Sequence, residues 1–386
     1  MDNNKHIAFF LPSLGGGGAE KVTLDIIKGL LEKGLQVDLV LAQARGPLLK
    51  RVPEKCNLVD LSSSRTILSL PGLVKYLKKN RPDFLISALN HANIVAILSR
   101  IIAGVPTKII VAVHSVFLES NDKRENRRSK FIPFFMKLTF SKADAVIAVS
   151  NGVAHGLSRK LHLPLESIFV LYNPVVNQDL LNKADETVEK DWFGDDAYPV
   201  ILSVGRLSDV KDYPTLIEAF AILRKEIRCR LVILGEGKEK DKLKALARNL
   251  GIENDLLMPG FVDNPYKYMK RASVFVLSSK REALPTVLIE AMACGTPVVA
   301  TKSRGGIAEI LENGRYGPLS EVGNAEALAD SIQQVLNNPP PAEKMLERAS
   351  HFSFENAISQ YLSLLAKLSG ESKKDRKNVS PKKGEI

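Results

Sequence analysis

SSKREALPTVLIEAMACGTPVVA, residues Ser278–Ala300, sets two carboxylates eight positions apart, Glu282 and Glu290. The apolar run before it, ending at Leu277, reads as a strand, and PTVLIEAMA reads as a helix. Pro285 suits the opening of that helix, because its missing N–H would have no intrahelical partner in the first turn. Glu282 then stands in the strand-to-helix loop and Glu290 inside the helix. Were the whole interval helical, about 12 Å of axis would separate them. Unpaired N–H groups and the positive end of the helix dipole lie between the two acids and favour phosphate there. A ligand with two hydroxylated ends and an anionic middle, such as a nucleotide-diphosphate sugar, matches that order of groups.

Outward from this stretch the chain alternates short apolar runs with amphipathic ones. His6–Pro12, Leu35–Ala42, Asp83–Ser87, Lys108–Val113, Ala145–Val149 and Ile168–Leu171 are continuous rather than alternating in hydropathy. That marks strands covered on both faces of a parallel sheet. Ala19–Lys33 and His91–Ala103 have helical spacing, with Gly34 and Gly104 as stops. Asn177–Ala197 is polar and reads as a structure-poor linker. The alternation then restarts at Pro199–Val204, Asp212–Glu226, Arg230–Leu234, Lys238–Leu250, Ser273–Leu277, Pro285–Ala293 and Pro297–Thr301. Two successive βαβ series predict an α/β protein of two doubly wound, Rossmann-like domains facing across a cleft. The expected division is 1–176 and 198–341, joined by 177–197. A C-terminal helical segment follows at 342–369, whose Phe354–Leu368 is amphipathic, and then a basic, disordered tail at 370–386.

At 386 residues, with 45% hydrophobic and 25% charged side chains, the chain has material for two cores. Its three cysteines, Cys56, Cys229 and Cys294, are far apart and form no metal-ligand spacing; they read as reduced, buried thiols. No run approaches 18 consecutive apolar residues, and no signal peptide is evident. The net charge is +11. Part of it is local: Asn121–Lys142 holds seven Lys/Arg against two acids, interleaved with Phe131, Ile132, Phe134, Phe135, Met136 and Phe140. Such a mixture fits an anionic bilayer surface, and it fits a solvated helix face equally. No nucleic-acid-binding motif accompanies it.

The E-x7-E pair followed by AMACGTPVVAT resembles the donor-binding signature of the retaining GT-B glycosyltransferases, in particular the group 1 (GT4-type) family. The resemblance continues, in the family's order, through GGGGAEK at Gly15–Lys21, VSNGVA at Val149–Ala154, VGRLSDVKDYPTLIEAF at Val204–Phe220, LVILGEGKEKDKL at Leu231–Leu243 and GGIAEIL at Gly305–Leu311. It implies a GT-B fold and a transferase acting on a nucleotide-diphosphate sugar with retention of anomeric configuration. It also implies no required cofactor or metal, since protein cations manage the diphosphate.

The resemblance assigns roles residue by residue. Arg206 and Lys211 would contact the diphosphate, as fixed positive charge aimed where negative charge grows; without the motif they would be ordinary loop bases. Glu290 would accept from the ribose hydroxyls, and Glu282 would face the transferred sugar. Ala283, Leu284, Pro285, Thr286 and Val287 would line sugar and phosphate. Gly16, Gly17 and Gly18 would let backbone approach the donor. His114, at a strand end, would make a polar contact to the sugar. His91 and Asn93 are the acceptor-side candidates. One departure stands out: the family has Gly after the first Glu, and this chain has Ala283, which would be strained by about 1–2 kcal/mol if φ there were positive.

The function expected from the sequence is therefore transfer of a hexose or N-acetylhexosamine, from a UDP-sugar as the common case, to a saccharide acceptor carried on a polyprenyl lipid. The enzyme would serve surface polysaccharide or lipopolysaccharide assembly. It would be cytoplasmic and peripheral at the membrane face through 121–142. Two rival readings use the same architecture: a nucleotide-sugar epimerase, and a noncatalytic sugar-nucleotide-binding protein.

Overall fold

The computed structural model describes residues 5–115, 132–188 and 198–370. They fall into two compact units, one drawn from Met1–Ala112, Arg124–Ile147 and Glu355–Ile386, the other from Val113–Lys123 and Ala148–Phe354.

The strands of the first unit are β1 (His6–Leu11), β2 (Gln36–Leu41), β3 (Asn57–Asp60), β4 (Phe84–Ala88), β5 (Lys108–Val113) and β6 (Ala145–Ala148), in the order β3-β2-β1-β4-β5-β6. The pairs β2–β3, β1–β2, β1–β4 and β4–β5 are parallel. Ile7, Phe10, Leu11, Leu39, Val40, Leu85, Ile109 and Ile110 are fully buried. This is why these strands are continuous apolar runs: helices cover both sheet faces. The chain leaves β1 toward β2 on one side, and β4 joins β1 on the other. The carboxyl ends of β1 and β4 thus flank a topological switch point, where open α/β sheets form their ligand crevices.

The second unit carries β7 (Ile168–Val170), β8 (Val200–Val204), β9 (Arg230–Leu234), β10 (Leu256–Gly260), β11 (Val274–Leu277), β12 (Arg281–Glu282), β13 (Val298–Thr301), β14 (Arg304–Gly305) and β15 (Leu319–Ser320). Six of them form one sheet ordered β10-β9-β8-β11-β13-β15, with every neighbouring pair parallel. Here the switch point lies between β8 and β11. Strands β12 and β14 pair separately, Arg281 with Arg304 and Glu282 with Gly305. One layer of the core joins the helix Tyr213–Leu223, through Leu216, Ile217 and Phe220, to the helix Ala325–Asn337, through Leu328 and Ile332.

Several elements differ from the sequence reading. β3 was not expected, because three of its four residues are exposed and no hydrophobic period marks it. The helix Leu70–Asn80 is likewise unmarked in the sequence, and the expected helical segment 342–369 is two helices, Ala342–Ser350 and Phe354–Leu368. Asn177–Ala197 is not uniformly structure-poor. Its start is the helix Gln178–Ala184, with Asn177 as N-cap accepting from the Leu180 N–H and with Leu180 and Ala184 buried. A seven-residue helix offers too little periodicity to read. The rest of that stretch from 189 to 197, the basic residues Arg124, Arg127, Arg128 and Lys130, and the tail from 371 onward lie outside the described residues.

Candidate functional site

Two loops meet at the second unit's switch point, one leaving β8 and the other leaving β11. The first carries Arg206 and Lys211, the second Ser278–Glu282. Ser278 Oγ donates to the Lys211 carbonyl (2.8 Å) and the Lys280 N–H to the Val210 carbonyl (2.9 Å). Lys280 Nζ pairs with Asp209 at 2.8 Å and with Asp212 at 3.6 Å. Backbone and side-chain bonds thus fix one loop against the other, and the register sets Lys211 Nζ 2.6 Å from Glu282 Oε1. Ser279 Oγ donates to the same oxygen at 2.8 Å. With 18% and 16% of their side chains exposed, Lys211 and Glu282 form a largely desolvated pair, so their attraction is screened much less than on an open surface. The family resemblance implies separate duties for the two residues, and no local pattern in the sequence encodes this contact across 71 positions.

Arg206 is exposed on the loop after β8. The paths on either side of it are closely fitted: the Gly205 N–H donates to Leu234 O and the Leu207 N–H to Glu236 O, at 2.9 and 2.8 Å. Glu282 belongs to β12, and Pro285 is the extended residue preceding the helix, which starts at Thr286 rather than at the proline. Glu290 sits partly buried in that helix. Ala283 is not among the residues with positive φ, so its Cβ is accommodated without the strain considered above. Leu284 is buried, while Ala283, Thr286 and Val287 are partly exposed.

The first unit's switch point holds the glycine loop after β1. There the Gly16 and Gly17 N–H groups both donate to Glu20 Oε2 at 2.7 Å. The loop therefore does not present those two amides outward. They are taken by the side chain three residues into the helix Gly18–Glu32, one half of a capping box. The Gly17-to-Glu20 spacing could have signalled this. Gly18 is exposed at the helix start.

Asn93 departs most clearly from its expected acceptor-side role. Its side chain is wholly buried, accepting from Ser87 Oγ (2.7 Å) and donating to the Ala112 carbonyl (3.0 Å), so it ties β4 to β5. A buried amide must have its hydrogen bonds met, and its position among Ala92, Val95 and Ala96 is the signal that could have placed it inside. His91 lies exposed at the start of the same helix. His114 follows β5, is partly buried, and burial pushes its imidazole down to about 4, so the ring is neutral at pH 7. A neutral ring hydrogen-bonds a hydroxyl; it does not supply a group titrating near 7.

Positive charge, a carboxylate and a helix start converge at a switch point, as sugar-nucleotide chemistry requires. Residues 16–178 match the family model "Glycosyltransferase Family 4", and residues 185–352 match "Glycosyl transferases group 1". An N-acetylgalactosamine-N,N'-diacetylbacillosaminyl-diphospho-undecaprenol 4-alpha-N-acetylgalactosaminyltransferase from Campylobacter jejuni is 32% identical over 347 residues, 86% of this chain and 90% of that one. The chain belongs to the group 1 glycosyltransferases. The lipopolysaccharide core biosynthesis glycosyltransferase LpsE of Rhizobium meliloti is 28% identical, with 91% of this chain and 96% of LpsE aligned. Among solved structures, Anabaena HepE in complex with UDP superposes with a TM-score of 0.75 at 22% identity, covering 94% of this chain and 100% of HepE. The fold is GT-B, and the protein is a glycosyltransferase. Among the described residues no helix is long and apolar enough to cross a membrane.

Proposed function

We propose that this group 1 glycosyltransferase moves a hexose or N-acetylhexosamine, with retention, from a UDP-sugar to a saccharide carried on a polyprenyl diphosphate. The observation that carries the reading is the Lys211–Glu282 pair at the β8/β11 switch point. An ammonium has three donors. Lys211 gives one to Glu282 and keeps two for a diphosphate, with Arg206 as the second cation. The acceptor oxygen bonds to the anomeric carbon from the face that the diphosphate leaves. The C–O bond to the diphosphate breaks, its electron pair going to the departing UDP, and a phosphate oxygen takes the acceptor proton. Lys211 and Arg206 stabilise the charge that grows on the leaving group. Glu282 faces the sugar, Glu290 the ribose, and His114 offers a neutral contact. No step invokes a divalent ion. The relatives' named activity on an undecaprenol-linked saccharide and the UDP bound to HepE support the acceptor and donor classes.

A thermal-shift panel of UDP-, GDP- and ADP-sugars tests the donor. A bound ligand stabilises the fold by RT ln(1 + [L]/Kd), about 2.7 kcal/mol at one hundred times Kd. The expected result is a shift with UDP-sugars that Arg206→Ala and Glu290→Ala both lose. A shift with GDP- or ADP-sugars alone would reassign the base. The anomeric coupling of the product by NMR decides retention, and a trapped glycosyl–Glu282 would replace the front-face route with a covalent one.

Membrane association follows from the acceptor class. The helix Ile132–Thr139 exposes Phe134 (58%), Phe135 (48%) and Leu138 (56%), while Met136 and Phe140 are buried. With Lys137 and Lys142 nearby, this is an apolar face edged with positive charge, suited to an anionic bilayer. Serine at positions 134, 135 and 138 together should lower partitioning onto anionic vesicles by about tenfold or more. A wild type that stays in the supernatant would count against membrane contact.

A further inference from the structure

Two motifs, VSNGVA and GGIAEIL, have no role in the chemistry above, yet they meet on the backbone of the Glu282 loop. The Gly306 N–H donates to the Glu282 carbonyl at 3.1 Å. One peptide on, Ser150 Oγ donates to the Ala283 carbonyl at 2.7 Å, across 133 positions. The same hydroxyl accepts from the Val153 N–H at 3.2 Å, capping the helix Asn151–Leu161. That helix start is itself held. Glu309 accepts the Asn151 N–H (2.8 Å), Asn151 Nδ2 (2.6 Å) and the Tyr172 hydroxyl (2.6 Å). An acid at this end is favoured by the helix dipole and satisfies one of its orphan donors. Arg348 in turn secures the backbone of Glu309 and Ile310 through their carbonyls, at 2.7 and 2.8 Å. The fit is close: a Cβ on Gly152 would come 2.5 Å from Gly305 O.

A trans peptide points its carbonyl and its N–H in opposite directions, and the described residues contain no cis bond. Fixing the Glu282 and Ala283 carbonyls therefore fixes two N–H groups, those of Ala283 and Leu284, aimed away from Gly306 and Ser150. Neither N–H has a protein acceptor among the described residues. We propose that Ser150 and Glu309 are positioning residues, which hold the Glu282–Leu284 peptides so that their N–H groups meet the sugar and diphosphate of the donor. Ser150 acts directly on the Ala283 carbonyl; Glu309 acts through Ser150 by holding the first turn of its helix. The proposal rests on the donor reading given above, and it explains why a serine and an acid so far apart in sequence share one task. Preorganised donors of this kind need no rearrangement as charge develops.

Hydrogen exchange of the peptides spanning 279–288, measured without any substrate, is compared in wild type, Ser150→Ala, Ser150→Thr and Glu309→Gln, alongside kcat and KM for the UDP-sugar. Exchange in that segment should rise in Ser150→Ala and in Glu309→Gln. In Ser150→Ala kcat should fall by on the order of 10–100-fold, with KM for the donor within about threefold. Ser150→Thr, which keeps a hydroxyl able to donate and to cap, should restore both. Unchanged exchange or unchanged kcat in Ser150→Ala would overturn the assignment, as would Ser150→Thr behaving like Ser150→Ala. If Ser150→Ala does not fold, Glu309→Gln carries the same comparison. The exchange arm needs no donor, so a wild type inactive with every nucleotide sugar would sink the donor reading while the anchoring still stood or fell on exchange.

Discussion

Lys211→Met should lower kcat/KM by about 10²–10³-fold, the range seen when one preorganised charge-stabilising donor is removed. Two effects combine. The leaving diphosphate loses a cation, and Glu282, 2.6 Å from Lys211 Nζ, loses that counter-charge and keeps the hydrogen bond from Ser279 Oγ. Lys211→Arg separates charge from geometry. A guanidinium keeps the positive charge but presents a planar fork in place of a compact point charge, so it should recover only part of the rate. Glu282→Gln removes the other partner. Because the two side chains share one contact, the double variant should lose less than the sum of the single losses in free energy. Steady-state kinetics on the four proteins, with unfolding midpoints to exclude misfolding, gives the cycle. A Lys211→Met enzyme within threefold of wild type would remove Lys211 from the mechanism.

The sequence carried the layering well, because burial on both sheet faces writes itself as unbroken Val/Ile/Leu/Phe runs. β5 and β9 fall at the expected Lys108–Val113 and Arg230–Leu234, and the helix Phe354–Leu368 matches its amphipathic stretch. What escaped lacks that signature. β3 is an exposed edge. β10 ends in Pro259 and Gly260 with a register shift, and its short LLMPG run carries no unbroken apolar signature. Side-chain assignments were legible to the extent that they were local. Gly17 and Glu20 sit at capping distance in sequence, and Asn93 lies on the apolar stripe of its helix, so both outcomes were within reach.

The contacts that organise the site are of another kind. Lys211 with Glu282 and Ser150 with Ala283 join residues 71 and 133 positions apart. No hydrophobic period encodes such pairs; the first follows from sheet order, which brings the exit of β8 beside the exit of β11, and the second from the side-chain hydroxyl at the start of the helix Asn151–Leu161. The order of the motifs along the chain could name the participants. It could not say that a serine after β6 would hold a carbonyl beside the candidate sugar-facing acid.

Gly235→Ala should destabilise the fold by about 3–5 kcal/mol, at the upper end for a single substitution. Gly235 follows β9 with φ +141°, a region that side chains with a Cβ rarely adopt, and a Cβ there would lie 2.0 Å from Gly205 O. The neighbour is backbone, so it cannot rotate away as a side chain would. Gly205 is held to Leu234 and Gly235 to Gly260 by backbone hydrogen bonds of 2.9 and 2.8 Å. Relief must therefore come from parting the exits of β8 and β9, the segment that carries Arg206. Gly251→Ala supplies the comparison: its φ is +68°, but nothing lies within 4 Å of the added carbon. That variant should lose only the left-handed backbone penalty, about 1–2 kcal/mol. Urea midpoints for the two variants separate clash from conformation. The Gly235 variant should also show a smaller thermal shift with UDP-sugar than Gly251→Ala, because its strain falls on the loop of Arg206. Equal losses in the two proteins would mean that β9 can move from β8 at little cost, and the Arg206 loop would then be softer than its hydrogen bonds imply.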